Sequence, residues 1–292
     1  MLRTVELAEA TLAVREWGER DGRPLLFLHS LGPAASAAFV GLVAGPLVAR
    51  GLRLVAPDQP GFGRSPALPA DRYAVPALAA LAWELADVLE LERPIVAGHS
   101  WGGAVACQMA AERPADARAL VLVDSGHVDY ADLPPYFRSE LTLDAHVEQA
   151  EAGRLRVADR EALEAELEID DPARRARLAD ALLEAMVVDE DGGLVSATTG
   201  AARGAAMHHL ALARPSETWP ALERAGLPTL LVLATEPAEV RELNQRAVER
   251  FRPAFPSAEI VTVEGATHSL VSDLEDRFGE LVGAWLERRG LV

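Results

Sequence analysis

The residues Ala97-Gly98-His99-Ser100-Trp101-Gly102-Gly103 set a serine between glycines in a Gly-x-Ser-x-Gly pattern. A serine hydroxyl attacks a carbonyl only when a base takes its proton. Seven histidines are available: 29, 99, 127, 146, 208, 209 and 268. His268, in VEGATHSL, falls in a loop between the last apolar run and the last helical stretch, which makes it the expected base. His99 adjoins the serine in sequence, but its side chain should point away and pack. His29 is read as structural. His208 and His209 are neighbours, and neighbours on a helix point about 100° apart, so they do not serve one metal from one face. No HExxH pattern or cysteine cluster appears, and no metal is expected. The chemistry that fits is acyl transfer through a covalent serine. It needs two N–H donors for the oxyanion: Trp101, just after the nucleophile, and one from the loop after an early strand. That loop is LHSLGPAAS (28–36), with Leu31 as the expected donor. It also needs a carboxylate to orient the histidine. LVLATEPAEV (231–240) offers Glu236 and Glu239 and no aspartate, while Asp124 lies near the end of ALVLVDS (119–125). Asp124 and Glu236 both keep the order serine, acid, histidine, and both stand as candidates. Glu239 is expected to open the next helix.

These residues depend on the elements that carry them. PIVAGHS (94–100) is a short apolar run of strand type, and WGGAVACQMAAERP is a helix stopped before Pro114. Ser100 therefore sits on a strand-to-helix turn. There the helix start supplies free N–H groups and partial positive charge where an oxyanion would form. TLAVREW (11–17), PLLFLH (24–29), LRLVAPD (52–58) and ARALVLVDS (117–125) read as further strands. ASAAFVGLVAGPLVARG, ending at Gly51, and VPALAALAWELADVLELE (75–92) read as the helices between them. Strands separated by helices imply right-handed crossovers and a mostly parallel sheet flanked by helices. From 127 to 216 no clear buried strand is seen, and the segments have helical composition; Asp171-Pro172 fits a cap followed by a first helical position. This stretch is read as a helical cap inserted over one sheet edge, with 1–126 and 217–292 as the core. Alternation then resumes with LPTLLVLA, AEVRELNQRAVERFR and AEIVTVEG, and SLVSDLEDRFGELVGAWLERR reads as one long closing helix.

Composition narrows the function. Of 292 residues half are hydrophobic, and 45 acids against 28 bases give a net charge of −17. Phosphate backbones and anionic lipid repel such a chain, so neither nucleic acid nor membrane is an expected partner. A single cysteine, Cys107 in an apolar run, allows no disulfide within the chain and is read as a small buried residue. The N-terminal stretch carries two acids and does not read as a signal peptide, and no run of about 18 apolar residues occurs. A cytoplasmic protein acting on a small molecule is expected, and a homo-oligomer is compatible with the sequence.

Four stretches together resemble the α/β-hydrolase superfamily. HSLGP resembles its HGxG oxyanion loop, with Ser30 at the usual glycine, and PDQPGFGRS (57–65) its PDxxGxGxS turn. GHSWGG resembles its nucleophile elbow and GATHS its histidine loop. The resemblance spans roughly 10–290 and implies an α/β-hydrolase fold with a cap. It also implies a cofactor-free serine hydrolase (esterase- or lactonase-like) with Ser100 as nucleophile, His268 as base, and Leu31 and Trp101 as oxyanion donors. Most members place the acid after the strand that is here 227–234, favouring Glu236; some place it one strand earlier, favouring Asp124. Asp58 and Ser65 match the turn motif and are read as structural. Dehalogenases and epoxide hydrolases usually carry an aspartate nucleophile, so Ser100 argues against both. The cap and Trp101 suggest a covered apolar pocket for a small ester or lactone. A C–C bond hydrolase of dicarbonyl compounds is the alternative, since that group shares the Gly-Pro of the oxyanion loop, although it typically has Trp where Ser269 stands. A receptor or binding protein of low turnover on the same fold is the third reading.

Overall fold

In a computed structural model that describes residues 2–37, 40–133, 137–167 and 169–292, the chain begins with an antiparallel pair. This is β1 (Leu2–Glu6) and β2 (Thr11–Trp17). Then come β3 (Arg23–Leu28), α1 (Val40–Val48), β4 (Leu52–Pro57), α2 (Val75–Val88), β5 (Ile95–His99), α3 (Trp101–Glu112) and β6 (Ala119–Val123). The next stretch holds α4 (Leu143–Ala152), β7 (Arg156–Val157), α5 (Arg160–Glu166), α6 (Pro172–Leu183), β8 (Met186–Val188), β9 (Leu194–Ser196) and α7 (Gly200–Ala211). The chain closes with α8 (Trp219–Ala225), β10 (Thr229–Glu236), α9 (Ala238–Ala254), β11 (Glu259–Thr267), α10 (Leu270–Leu274) and α11 (Asp276–Arg288).

Eight strands form one sheet in the order β1-β2-β4-β3-β5-β6-β10-β11. All pairings from β4 to β11 are parallel, while β1 and β2 join antiparallel at one side. Side chains alternate faces along a strand, and the core divides accordingly. Val96, Leu120, Leu122, Leu231 and Leu233 pack with α2, α3 and the Phe251 end of α9. Ile95, Ala97, Val121, Val123, Leu230 and Val232 pack with Phe278, Val282 and Trp285 of α11 on the other face. From β3 the chain crosses to β4 on one side and later to β5 on the other. The carboxyl ends of β3 and β5 therefore flank a crevice of the kind in which open parallel sheets bind ligands.

Four features differ from the sequence reading. β1 was not anticipated, because among its residues only Val5 is buried and the strand carries little hydrophobic signal. Helix α2 stops at Val88, short of residue 92, and Glu90 and Arg93 take positive φ in the turn that follows. The stretch 127–216 is not wholly helical: β7, β9 and β8 form a small antiparallel sheet. Its β8–β9 hairpin turns on Asp189, whose backbone pairs with Gly193 and whose carboxylate accepts from the Asp191 and Gly193 N–H groups. The closing helix is broken into α10 and α11 at Glu275, which adopts φ +49. No glycine or proline marks that break, and two ion pairs from α6 flank it: Arg174 to Asp273 and Arg177 to Glu275, each 2.7 Å. Ala38 and Phe39, inside the helix expected to end at Gly51, lie outside the described residues.

Candidate active site

Ser100 follows β5 and immediately precedes α3, with φ 53 and ψ −120. A non-glycine residue there is strained by about 1–3 kcal/mol, and the surroundings hold it. Its N–H donates to Val123 O (3.1 Å), and its carbonyl accepts from Gly103 N–H (2.9 Å), Ala104 N–H (3.2 Å) and the Ser125 hydroxyl (2.5 Å). The flanking glycines are required by close approach. A Cβ on Gly98 would collide with the Gly102 carbonyl, and one on Gly102 with the Leu28 carbonyl of β3.

His268, directly after β11, faces the serine: its Nε2 lies 2.9 Å from Ser100 Oγ. Its Nδ1 lies 2.6 Å from Asp124 Oδ2. Asp124 follows β6, also at positive φ (+46), and its N–H donates to Val232 O at 2.7 Å. Burial alone would raise its carboxyl, but the bonds from His268 and from Ala234 N–H outweigh burial and hold it below the usual carboxylate range. The carboxylate is therefore ionised at neutral pH, and His268 Nδ1 carries the proton it donates. Nε2 is then free to accept from the serine hydroxyl.

Of the two candidate acids, the structure brings only Asp124 to the histidine. Glu236 is the last residue of β10 rather than part of a loop, and its carboxylate accepts from Arg241 at 2.7 Å. The alternative of Glu236 as the orienting acid is corrected accordingly. Glu239 sits in the first turn of α9, exposed.

The oxyanion candidates lie on both sides of the crevice. Trp101 is the first residue of α3, and Leu31 follows β3 in a loop pinned from below. His29 Nδ1–H donates to Ser30 O (2.6 Å), and its Nε2 accepts from Gln59 N–H (2.8 Å). The Gln59 amide in turn donates to His29 O (2.8 Å). Burial lowers the His29 pKa, which keeps this ring neutral and structural. Ser30, at the position glycine usually takes, accepts from Gly32 N–H at 3.2 Å. Among the described residues, neither the Leu31 nor the Trp101 amide N–H has a hydrogen-bond partner. The Asp58 carboxylate accepts from Ser36 and from Arg64 N–H, and Ser65 links Asp58 O to Ala13 N–H; both bind backbone, as expected of structural residues.

A cavity of about 320 Å³ opens on Ser100, Asp124 and His268. Its other walls are mainly apolar: Val128, Tyr130, Leu133 and Phe137 on one side, and Val240 and Leu243 of α9 on the other. Trp101 does not line it. The indole is fully buried against Phe62 (4.9 Å between ring centres) and His29, so the expectation that Trp101 shapes the pocket is corrected. A second cavity, of about 440 Å³, adjoins the first through His127, Val128, Leu133 and Leu243.

Three polar residues surround the acid and the histidine: His99, which the sequence suggested would only pack, and His127 and Asn244, to which it assigned no role. His99 is buried and its Nε2–H donates to the His268 carbonyl at 2.7 Å, fixing the backbone of the histidine loop; burial drives its pKa down to about 3. Asn244 of α9 bonds Asp124 Oδ1 at 2.7 Å, and His127 bonds Asn244 at 2.9 Å. The signal for Asn244 was available: it interrupts the apolar stripe of α9 formed by Val240, Leu243, Ala247, Val248 and Phe251.

The alpha/beta hydrolase fold family matches residues 23–273. Among curated relatives, the chain is 39% identical over 101 residues to the magnesium-chelatase 30 kDa subunit of Rhodobacter capsulatus, covering 35% of this chain and 34% of that protein. It is 36% identical over 110 residues to 2-hydroxymuconate semialdehyde hydrolase of Pseudomonas sp. strain CF600, covering 37% and 38%. The chain thus spans well under half the length of these relatives. Among solved structures, the thioesterase domain from the curacin biosynthetic pathway superposes with a TM-score of 0.76 at 20% identity, over 97% of this chain and 98% of that one. At that identity the likeness concerns the fold.

Proposed function

Because the chain belongs to the alpha/beta hydrolase fold family, we propose that it is a serine hydrolase cleaving a small, mainly apolar carboxylic ester or lactone. One observation carries this reading: an unbroken hydrogen-bonded line from Ser100 Oγ through His268 to Asp124, at the mouth of an apolar cavity. In the proposed reaction His268 Nε2 takes the Ser100 proton as Oγ attacks the carbonyl carbon. The Leu31 and Trp101 N–H groups receive the developing oxyanion. His268 returns its proton to the departing alkoxide, leaving an acyl-serine. Water, deprotonated by His268, then attacks that acyl carbon, and His268 passes the proton to the departing Ser100 Oγ as the acid is released. Asp124 stays ionised throughout and balances the imidazolium. The stretch 127–216 serves as the cap in this reading, with Val128, Tyr130, Leu133 and Phe137 supplying one wall of the cavity.

A fluorophosphonate probe tests the serine directly. Wild type is expected to be labelled and Ser100→Ala not; absence of labelling in both would favour a binding protein on this fold. The similarity to 2-hydroxymuconate semialdehyde hydrolase supports a second reading, cleavage of a C–C bond in a dicarbonyl compound. A panel of short esters, lactones and dienone acids separates the two, and turnover of the dienone acids alone would replace the ester reading.

A further inference from the structure

Asp124 uses its two oxygens differently. Oδ2 meets His268, while Oδ1 accepts from Ala234 N–H at 3.1 Å and from Asn244 Nδ2 at 2.7 Å. Asn244 is only 4% exposed, and the same Nδ2 also donates to Ala234 O at 3.1 Å. Two acceptors on one side of the amide fix its orientation, since a flipped side chain would set its oxygen against a carboxylate and a carbonyl. The Asn244 oxygen therefore faces His127 Nε2 at 2.9 Å, and that nitrogen must carry the proton. His127 is itself 2% exposed.

We propose that Asn244, oriented by His127, is the positioning residue that holds the Asp124 carboxylate in plane with His268. A carboxylate held through one oxygen can rotate about its Cβ–Cγ bond, whereas donors on the second oxygen lock that rotation. The amide also draws negative charge toward Oδ1 and so moderates the charge that His268 feels. A neutral side chain suits the place, because a second carboxylate beside Asp124 would compete with it for a proton. The groups facing the His268 ring and loop are Asp124 from the end of β6, His99 from β5, His127 from the turn after β6, and Asp273 of α10 with Arg174 of α6. The inference rests on the serine-hydrolase reading.

The test compares kcat, KM and the pH profile of kcat/KM on a short p-nitrophenyl ester for wild type, Asn244→Leu, Asn244→Asp, His127→Leu and His127→Gln. Asn244→Leu should lower kcat by about 10–100-fold, the scale of a mispositioned reacting group, with KM within about threefold. Its acidic limb should move to higher pH, because undamped negative charge on Asp124 favours the imidazolium. Asn244→Asp has the same shape and should move the limb the same way, which keeps the test open if the leucine variant does not fold. His127→Gln retains an N–H donor and should recover most of what His127→Leu loses. A purely structural role would change the unfolding midpoint and leave the limb in place. An unmoved limb in both Asn244 variants, or equal damage from His127→Gln and His127→Leu, overturns the inference. Wild type unlabelled by the fluorophosphonate and inactive on every ester and lactone, or Ser100→Ala still active, overturns the serine reading and this inference with it.

Discussion

Asp124 and Glu236 stand at the ends of neighbouring strands, and what surrounds each carboxylate separates them. Asp124 is 7% exposed and receives three nitrogen donors, whereas Glu236 reaches back to Arg241 on its own following helix. In the proposed reaction, Asp124→Ala should lower kcat by roughly 10³–10⁴-fold, the loss that follows when a histidine base is wrongly held. Glu236→Ala should stay within about twofold, measured as steady-state ester turnover. A large loss from Glu236→Ala would return that residue to the site. Ser100 and His268 were legible in the sequence because each sits in a motif framed by an apolar strand and a helix. The acid was not, because two strand ends each offered a carboxylate, and the choice depends on side-chain direction and on an Asn244 contact 120 residues away. Trp101 was misread for a related reason: a backbone position next to a nucleophile says nothing about which way the indole points.

Helix α3 can enter so close to β3 and β5 only because no side chain intervenes. Gly102→Ala should cost about 1–3 kcal/mol, as overpacking does, read as a lower urea midpoint, since its Cβ would meet the Leu28 carbonyl. Asp171 opens α6 by accepting from Ala173 and Arg174 N–H. Asp171→Ala should cost about 1 kcal/mol and leave ester turnover unchanged, because α6 does not contribute to the described lining of the Ser100 cavity. The parallel strands were legible as buried apolar runs, and the helices between them as longer segments stopped at Gly51 or before Pro114. Three elements were not, each for want of local signal. β1 buries one side chain, and the β8–β9 hairpin leaves Val187 and Val188 exposed inside an acid-rich stretch. The α10–α11 break carries no glycine or proline, and the arginines that pair beside it lie about 100 residues earlier in the chain.

Across the molecule the charge is one-sided in kind as well as amount: all 28 basic side chains are arginine. Several guanidiniums bridge two carboxylates, as Arg50 does Glu280 and Glu287, and Arg160 does Glu164 and Asp180. Exposed pairs of this kind add little each. Buried histidines should govern stability near neutral pH instead. Burial holds His99 down to about 3 and also lowers His29 and His127, while unfolded histidine titrates near 6.5. Below about 6.5 the unfolded chain gains protons that the native state refuses, so this stability is complete above 6.5 and lost as pH falls toward 3. Each histidine contributes at most about 1.4 kcal/mol per pH unit. The urea midpoint should fall steadily from pH 7.5 to 5; a flat midpoint over that range would contradict the burial of these rings. The core also contains its own timepiece. Cys107 is fully buried on α3, its sulfur is 3.0 Å from the Thr218 hydroxyl, and burial lifts its thiol to about 12. A disulfide reagent can reach it only after α3 parts from the turn that leads into α8. Because no other thiol competes, the speed of colour development at reagent levels that outpace reclosing counts how often the helix that follows Ser100 lifts from its seat.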